Sequence, residues 1–170
     1  TACGNLPSWP QGAMPAARPG PRLGPRTPTR RCRCGGYAAA RAGAGVPVEE
    51  GLGGSMEWGG SGGADAMAQL RSLREPPSAV YAHSDEVAVG AMRTIRRAGL
   101  RVPEDISIVG VDDHPLADLV DLTTVRQPVR EQGELAAKIL LALLRGEEGV
   151  DEAVTLATYL VPRRSTAPAH

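Results

Sequence analysis

Residues 79–115 read AVYAHSDEVAVGAMRTIRRAGLRVPEDISIVGVDDHP, and their alternation of short and long apolar patterns decides the fold. The run 79–82 is a short apolar segment of buried-strand type. Ser84 then offers an N-cap hydroxyl, and Asp85 and Glu86 place acids in the first helical turn, where the helix dipole favours them. Val87, Ala88, Ala91, Met92, Ile95 and Ala98 recur at spacings of one, three and four, so a helix with one apolar face is expected, with Gly99 placed to stop it. Pro103 fixes a loop over 100–105. Residues 106–111, ISIVGV, form the next strand. That strand runs straight into two adjacent carboxylates, Asp112 and Asp113, with no turn sequence between. Strand, helix and strand joined by short loops imply parallel strands with a right-handed crossover.

The same grammar extends outward. Residues 123–127, TTVRQ, are a further short β-prone run closed by Pro128. A long helix is expected from about Arg130, with Leu135, Ala136, Ile139, Leu140, Leu143 and Leu144 on one stripe and Gly146 as its stop. Residues 154–162 alternate well enough for a last strand, with Arg163, Arg164 and Ser165 just beyond it. Upstream, 63–73 and the short Ala-rich segment 37–42 are helix-like. The fold class is α/β, a parallel sheet layered with helices.

Composition narrows the class. A chain of 170 residues holds one ordinary domain. Its formal charge is zero, so no global field draws it to nucleic acid or membrane, and partners must be argued locally. The apolar share is 42% and Phe is absent, which leaves Val, Leu, Ile and Ala to build the core. There is no run of 18 apolar residues and no basic segment leading into an apolar one, so a cytoplasmic protein without a membrane span is expected. Of 21 glycines and 15 prolines, fifteen and nine lie by Gly63 and Pro76. Residues 1–30 lack periodicity and are expected to be disordered, leaving 31–170 to fold. The arginines Arg18, Arg22, Arg26, Arg30 and Arg31 have no aromatics interleaved and read as part of a Pro/Arg-rich tail rather than a nucleic-acid arm. Cys3, Cys32 and Cys34 are odd in number, with no His or Cys cluster to complete a zinc site, so neither disulfides nor a metal is expected. No cofactor is indicated either, since phosphate-cradling glycine loops are lacking.

In an open parallel sheet, ligands bind beyond the carboxyl ends of the strands. The residues there are His83, Ser84 and Asp85 after the first run, Asp112 and Asp113 after the second, and Arg126 and Gln127 after the third. Glu57 and Trp58 precede a glycine-rich turn. Carboxylates, an amide, a hydroxyl and an indole suit a polyhydroxylated ligand, because carboxylates accept bonds from vicinal hydroxyls and an aromatic face covers the ring. Enzyme readings fit less well. Adjacent strand residues point to opposite faces, so Asp112 and Asp113 do not converge as acid and base on one bond. Three consecutive residues cannot line up as a Ser-His-Asp triad, and no nucleophile elbow exists. Structural readings stand beside the binding ones: Ser84 as a helix cap only, Asp113 as a loop cap, Trp58 as a satellite-core residue.

The motifs SDEVAVGAMR (84–93), GLRVPEDISIVGVDD (99–113), TTVRQP (123–128) and RRST (163–166) together closely resemble the effector-binding domain of LacI/GalR-type bacterial transcriptional repressors. The likeness is continuous over 78–168 and looser from Arg31. It implies a periplasmic-binding-protein-like fold of two α/β subdomains with a sugar or nucleoside between them, behind a helix-turn-helix headpiece. These residues correspond to the carboxyl-terminal subdomain, an incomplete share of that fold. Headpiece and most of the amino-terminal subdomain have no counterpart, and 1–30 lack the apolar strand the family carries there, as a shifted reading frame would produce. By position, the resemblance implies ligand contacts at Asp112, Ser84, Trp58, Gln127 and Arg33. It implies homodimer contacts at Val89 and Leu119, within a helix from Asp85 and a segment over 116–120, and DNA contact only through the headpiece. Expected function is ligand sensing and dimerisation in a repressor, without enzymatic activity; a free sugar-binding protein of a transport system and an α/β enzyme acting on a sugar are the alternatives.

Overall fold

A computed structural model of the chain describes residues 28–45, 59–151 and 153–168. Ser84 accepts a hydrogen bond from the Val87 amide at 3.3 Å, satisfying one of the amides left over at a helix start. The helix it caps, and the elements around it, run in the order α1 (Pro28–Gly43), α2 (Gly60–Arg71), β1 (Ala79–Tyr81), α3 (Asp85–Arg97), β2 (Ser107–Asp112), α4 (Pro115–Leu119), β3 (Thr123–Arg126), α5 (Val129–Leu144) and β4 (Tyr159–Val161). The sheet order is β1-β2-β3-β4. β1, β2 and β3 are parallel, with Val80 opposite Ile108 and Val111 opposite Val125.

One face of this sheet carries the core. Val80, Ile106 and Ile108 pack against Val87, Ala88, Ala91, Met92 and Ile95 of α3 and Ala66, Met67 and Leu70 of α2, with Ala117 and Leu122 closing the side. α2 and α3 approach so closely that a Cβ on Gly63 would collide with the Val87 backbone, and one on Gly90 with the Gly60 backbone. Only glycine fits at such crossings. Thr94 of α3 ties the pair further by donating to the Ala64 carbonyl at 3.1 Å. Against Tyr81 of β1, Tyr37 of α1 stacks at 5.5 Å between ring centroids, an arrangement favoured for aromatic pairs.

The structure adds four features that the sequence reading did not give. β4 runs antiparallel to β3, pairing Val125 with Leu160, and it spans three residues rather than 154–162. Alternation of side chains has the same period of two in either direction, so strand sense could not be read from it. The helix expected over 37–42 belongs to a longer one that starts at Pro28, so residues 28–30 are helical, not disordered; residues 1–27 lie outside the described set. The crossover from β2 to β3 contains only the five-residue α4. Lastly, α5 forms as expected, yet none of its residues is buried.

Candidate functional site

β1, β2 and β3 end side by side, and their register sets Asp112 opposite Arg126, with His83 and Ser84 following β1 and Gln127 following β3. Asp112 and Asp113 both have left-handed backbones, with φ of 125° and 55°. Such values are uncommon outside glycine and mark a turn held by its surroundings. What holds it is a set of hydrogen bonds reaching across the strand ends.

Asp85, at 1% exposure, is central to that set. Its Oδ2 accepts from the His114 amide at 2.8 Å, and its Oδ1 accepts from the Thr124 hydroxyl at 2.6 Å. Thr124 Oγ1 in turn accepts from the Asp113 amide at 3.3 Å. A buried carboxylate is tolerated when hydrogen bonds replace its lost hydration. Asp85 thereby fastens the amino end of α3, the turn after β2 and strand β3 to one another. Room for it exists because residue 110 is glycine: a Cβ there would collide with Asp85 Oδ1 and press on Leu122.

The two adjacent acids part company. Asp112, half-buried, accepts a short hydrogen bond from Gln127 Nε2, so the carboxylate and the amide at the ends of neighbouring strands share one spot. Asp113 turns away, with Oδ2 taking Arg126 Nε at 2.6 Å and Oδ1 taking Arg163 Nη2 at 2.9 Å. Burial alone would raise the Asp113 pKa, but the hydrogen bonds and charges of Arg126 and Arg163 outweigh it and hold the carboxyl below its ordinary value. Arg163 also donates from Nη1 to the Leu122 carbonyl at 2.9 Å, and its amide donates to Thr123 Oγ1 at 2.9 Å. Beside it, the buried Ser165 hydroxyl accepts from the Thr123 amide at 2.8 Å and donates to the Ile108 carbonyl at 2.6 Å, bridging β2 and β3.

Of the residues expected to touch ligand, Asp112 and Gln127 meet. Ser84 lies at the neighbouring strand end, 2% exposed, with its hydroxyl engaged in the α3 cap. Trp58 lies outside the described residues, as does the Arg33 side chain, although the Arg33 backbone is part of α1. The side chains of Cys32 and Cys34 are likewise outside them. Asp85, Thr124 and Arg163 were missed as residues that hold the site. The RRST motif was the available signal, but its partners lie tens of residues away in sequence.

Comparison with known proteins places the fold in a family. A family profile for a periplasmic binding protein-like domain matches residues 22–166. The chain is 42% identical over 106 residues to the HTH-type transcriptional repressor CytR of Escherichia coli (strain K12), covering 61% of this chain and 31% of that protein. It is 37% identical over 142 residues to the ribose operon repressor of the same organism, covering 82% and 43%. Among solved structures, a LacI family transcriptional regulator from Enterococcus faecium with bound ribose superposes with a TM-score of 0.73 at 30% identity, covering 82% of this chain and 52% of that one. The chain thus spans less than half the length of these curated relatives. The parallel strands, the profile and these relatives together show that the chain belongs to the periplasmic-binding-protein-like domain family, as part of a LacI/GalR-type effector-binding domain.

Proposed function

We propose that the chain is the ligand-sensing and dimerising portion of a LacI-type transcriptional regulator, binding a sugar-like effector at the carboxyl ends of β1, β2 and β3. The Asp112–Gln127 contact carries this reading: a carboxylate oriented by an amide, at the strand ends where such sheets bind ligands, is suited to a pair of vicinal hydroxyls. The names of the relatives support the same class, since one is a ribose operon repressor and one solved regulator holds ribose. Sugars and nucleosides are the effector class. Ser84, Trp58 and Arg33 complete the proposed contacts.

In a two-state regulator the effector acts only by binding one arrangement of the protein better than the other. The proposed output is operator affinity, exerted through a headpiece outside these residues, in a cytoplasmic homodimer whose contacts include Val89 and Leu119. An enzymatic role is disfavoured by Asp113, whose engagement with two arginines removes it as a proton donor beside Asp112. Among the described residues, no helix is long and apolar enough to cross a membrane. Residues 31–170 are the proposed extent of the partial effector-binding domain.

The test is an amide chemical-shift titration of the chain with ribose, a disaccharide and a nucleoside at millimolar concentration. Expected are shifts confined to the amides around Ser84, Asp112 and Gln127, abolished by Asp112→Ala. If every probe leaves those amides unmoved, or Asp112→Ala binds as the parent does, the reading is wrong.

A further inference from the structure

Two ties cross between the ends of β2 and β3. Asp112 stands opposite Arg126 in the parallel register, yet its carboxylate takes Gln127, one residue further on. Asp113, one residue beyond Asp112, reaches back to accept from Arg126 Nε at 2.6 Å. A single contact would leave the turn free to swing about it, whereas two crossed contacts fix both the spacing and the rotation of the strand ends. Arg163 adds a third direction, donating to Asp113 at 2.9 Å from beyond β4. That guanidinium is itself held, by the Leu122 carbonyl at 2.9 Å and by Asp118 at 3.5 Å. The Asp113 side chain is only 9% exposed, and each of its oxygens is turned to an arginine rather than to the spot that Asp112 and Gln127 share.

Such holding matters because the turn is strained. Asp112 and Asp113 both have positive φ, 125° and 55°, and a backbone of that kind persists only where its surroundings over-determine it. The Asp112 carboxylate is the proposed ligand contact, so the restraint has to come from its neighbours. The His114 amide, donated to Asp85, fixes the far side of the turn, and Asp113 fixes the near side. We infer that Asp113 is a positioning residue for the effector site: paired with Arg126 and Arg163, it aims Asp112 and Gln127 at the ligand without touching the ligand itself. The inference rests on the effector site proposed above and adds what sets its affinity. A staple that serves stability alone is the competing account. Arg126, however, is 56% exposed, and ion pairs at such sites contribute little to folding. Their effect is on direction, since a site already ordered before binding loses less of the interaction energy to ordering.

The test follows the Gln127 side-chain amide by proton–nitrogen NMR in the full chain, first free and then with ribose at millimolar concentration. Asp113→Asn keeps a residue that tolerates left-handed backbone and removes the charge. Arg126→Gln breaks the same tie from the exposed side, and it carries both readouts if circular dichroism shows Asp113→Asn unfolded. Each variant is expected to move the Gln127 side-chain resonances towards those of a freely rotating amide. Each should also weaken ribose binding about tenfold, as the loss of one charge-assisted hydrogen bond does. The double variant should bind as Asp113→Asn does, because both changes break one tie. Variants that bind ribose as the parent does overturn the inference and leave the effector site standing. Affinity that falls while the Gln127 resonances stay in place means that Asp113 meets the sugar directly, which also refutes a positioning role. If the parent binds no ribose, the effector reading fails at this probe. The free chain still decides the inference: Gln127 resonances that shift in the variants uphold the ordering of that pair by Asp113, and resonances that stay refute it.

Discussion

Along α3, Val87, Ala88, Ala91, Met92 and Ile95 are all exposed by 4% or less, whereas α5 buries no residue and leaves Leu144 at 75% and Leu140 at 57%. Both helices carry apolar residues at helical spacing. α3 meets a sheet on one side and α2 on another, while among the described residues Leu140, Leu141, Leu143 and Leu144 of α5 stay exposed. Periodicity reports that a helix has a face to bury; it is silent on whether the partner lies in the same stretch of chain. About half of the Enterococcus faecium regulator has no counterpart here, and among the described residues α5 has no buried residue.

The contrast predicts unequal responses to the same kind of truncation. Ile95→Ala, at a residue with no exposure, should cost about 2–5 kcal/mol of unfolding free energy, since the cavity adds to the lost transfer energy. Leu140→Ala should cost no more than about 0.5 kcal/mol, as substitutions at exposed sites do. Urea unfolding of the two variants measures the difference. Similar losses would mean that α5 is packed in solution and that the contrast is false.

A smaller effect sharpens the comparison at the amino end of α3. Asp85→Ala would leave the buried Thr124 hydroxyl and the His114 amide without their acceptor, at about 1–3 kcal/mol. Gly110→Ala should lose a similar amount, by pushing on the same carboxylate from the other side. The two losses should not add, because both break one contact. A double variant whose loss equals the sum of the single losses would disprove that shared origin.

Legibility followed the distance over which a signal acts. The Ser84 cap, the acids of the first turn and the apolar spacing of α3 are local, and β1, α3 and β2 appeared where the residues placed them, within a residue or two at each end. Asp112 and Gln127 were legible as neighbours at the strand ends, because Asp112 closes β2 and Gln127 follows β3. The hydrogen bond from Thr124 to Asp85 spans 39 positions and the pair of Arg163 with Asp113 spans 50, and no periodicity encodes such pairings. The antiparallel sense of β4 and the bare face of α5 escaped for a related reason: both depend on what lies beside an element, not on what it is made of.

Smaller again is a pH effect at the turn itself. The Asp113 pKa is lower when folded than its ordinary value near 3.8, so the folded state binds its proton less readily than the unfolded one. Its contribution is then fully present above the ordinary carboxylate range and is lost as pH falls through the folded value. Arg126→Ala or Arg163→Ala should flatten this part of the stability profile below about pH 4, where unperturbed carboxyls titrate. Unfolding midpoints between pH 5 and pH 2 provide the check, taking those two limits as the span about such a carboxyl. A profile as steep as the parent's in both variants would show that other acids carry the acid sensitivity.

The least effect on stability is expected where the apolar exposure is greatest. Replacing Leu140 and Leu144 together by Glu removes two exposed leucines from α5 and should shift the unfolding free energy by less than about 0.5 kcal/mol. The same change should lower the binding of a hydrophobic dye, because exposed apolar patches are what such dyes and stray partners occupy. The two readouts separate two accounts of α5. If the helix stands bare in solution, dye binding falls and stability holds. If it folds back onto residues of its own chain, stability falls by several kcal/mol, as for any buried leucine, and dye binding changes little. The first outcome would make the leucines an exposed apolar surface; the second would make α5 a core helix like α3.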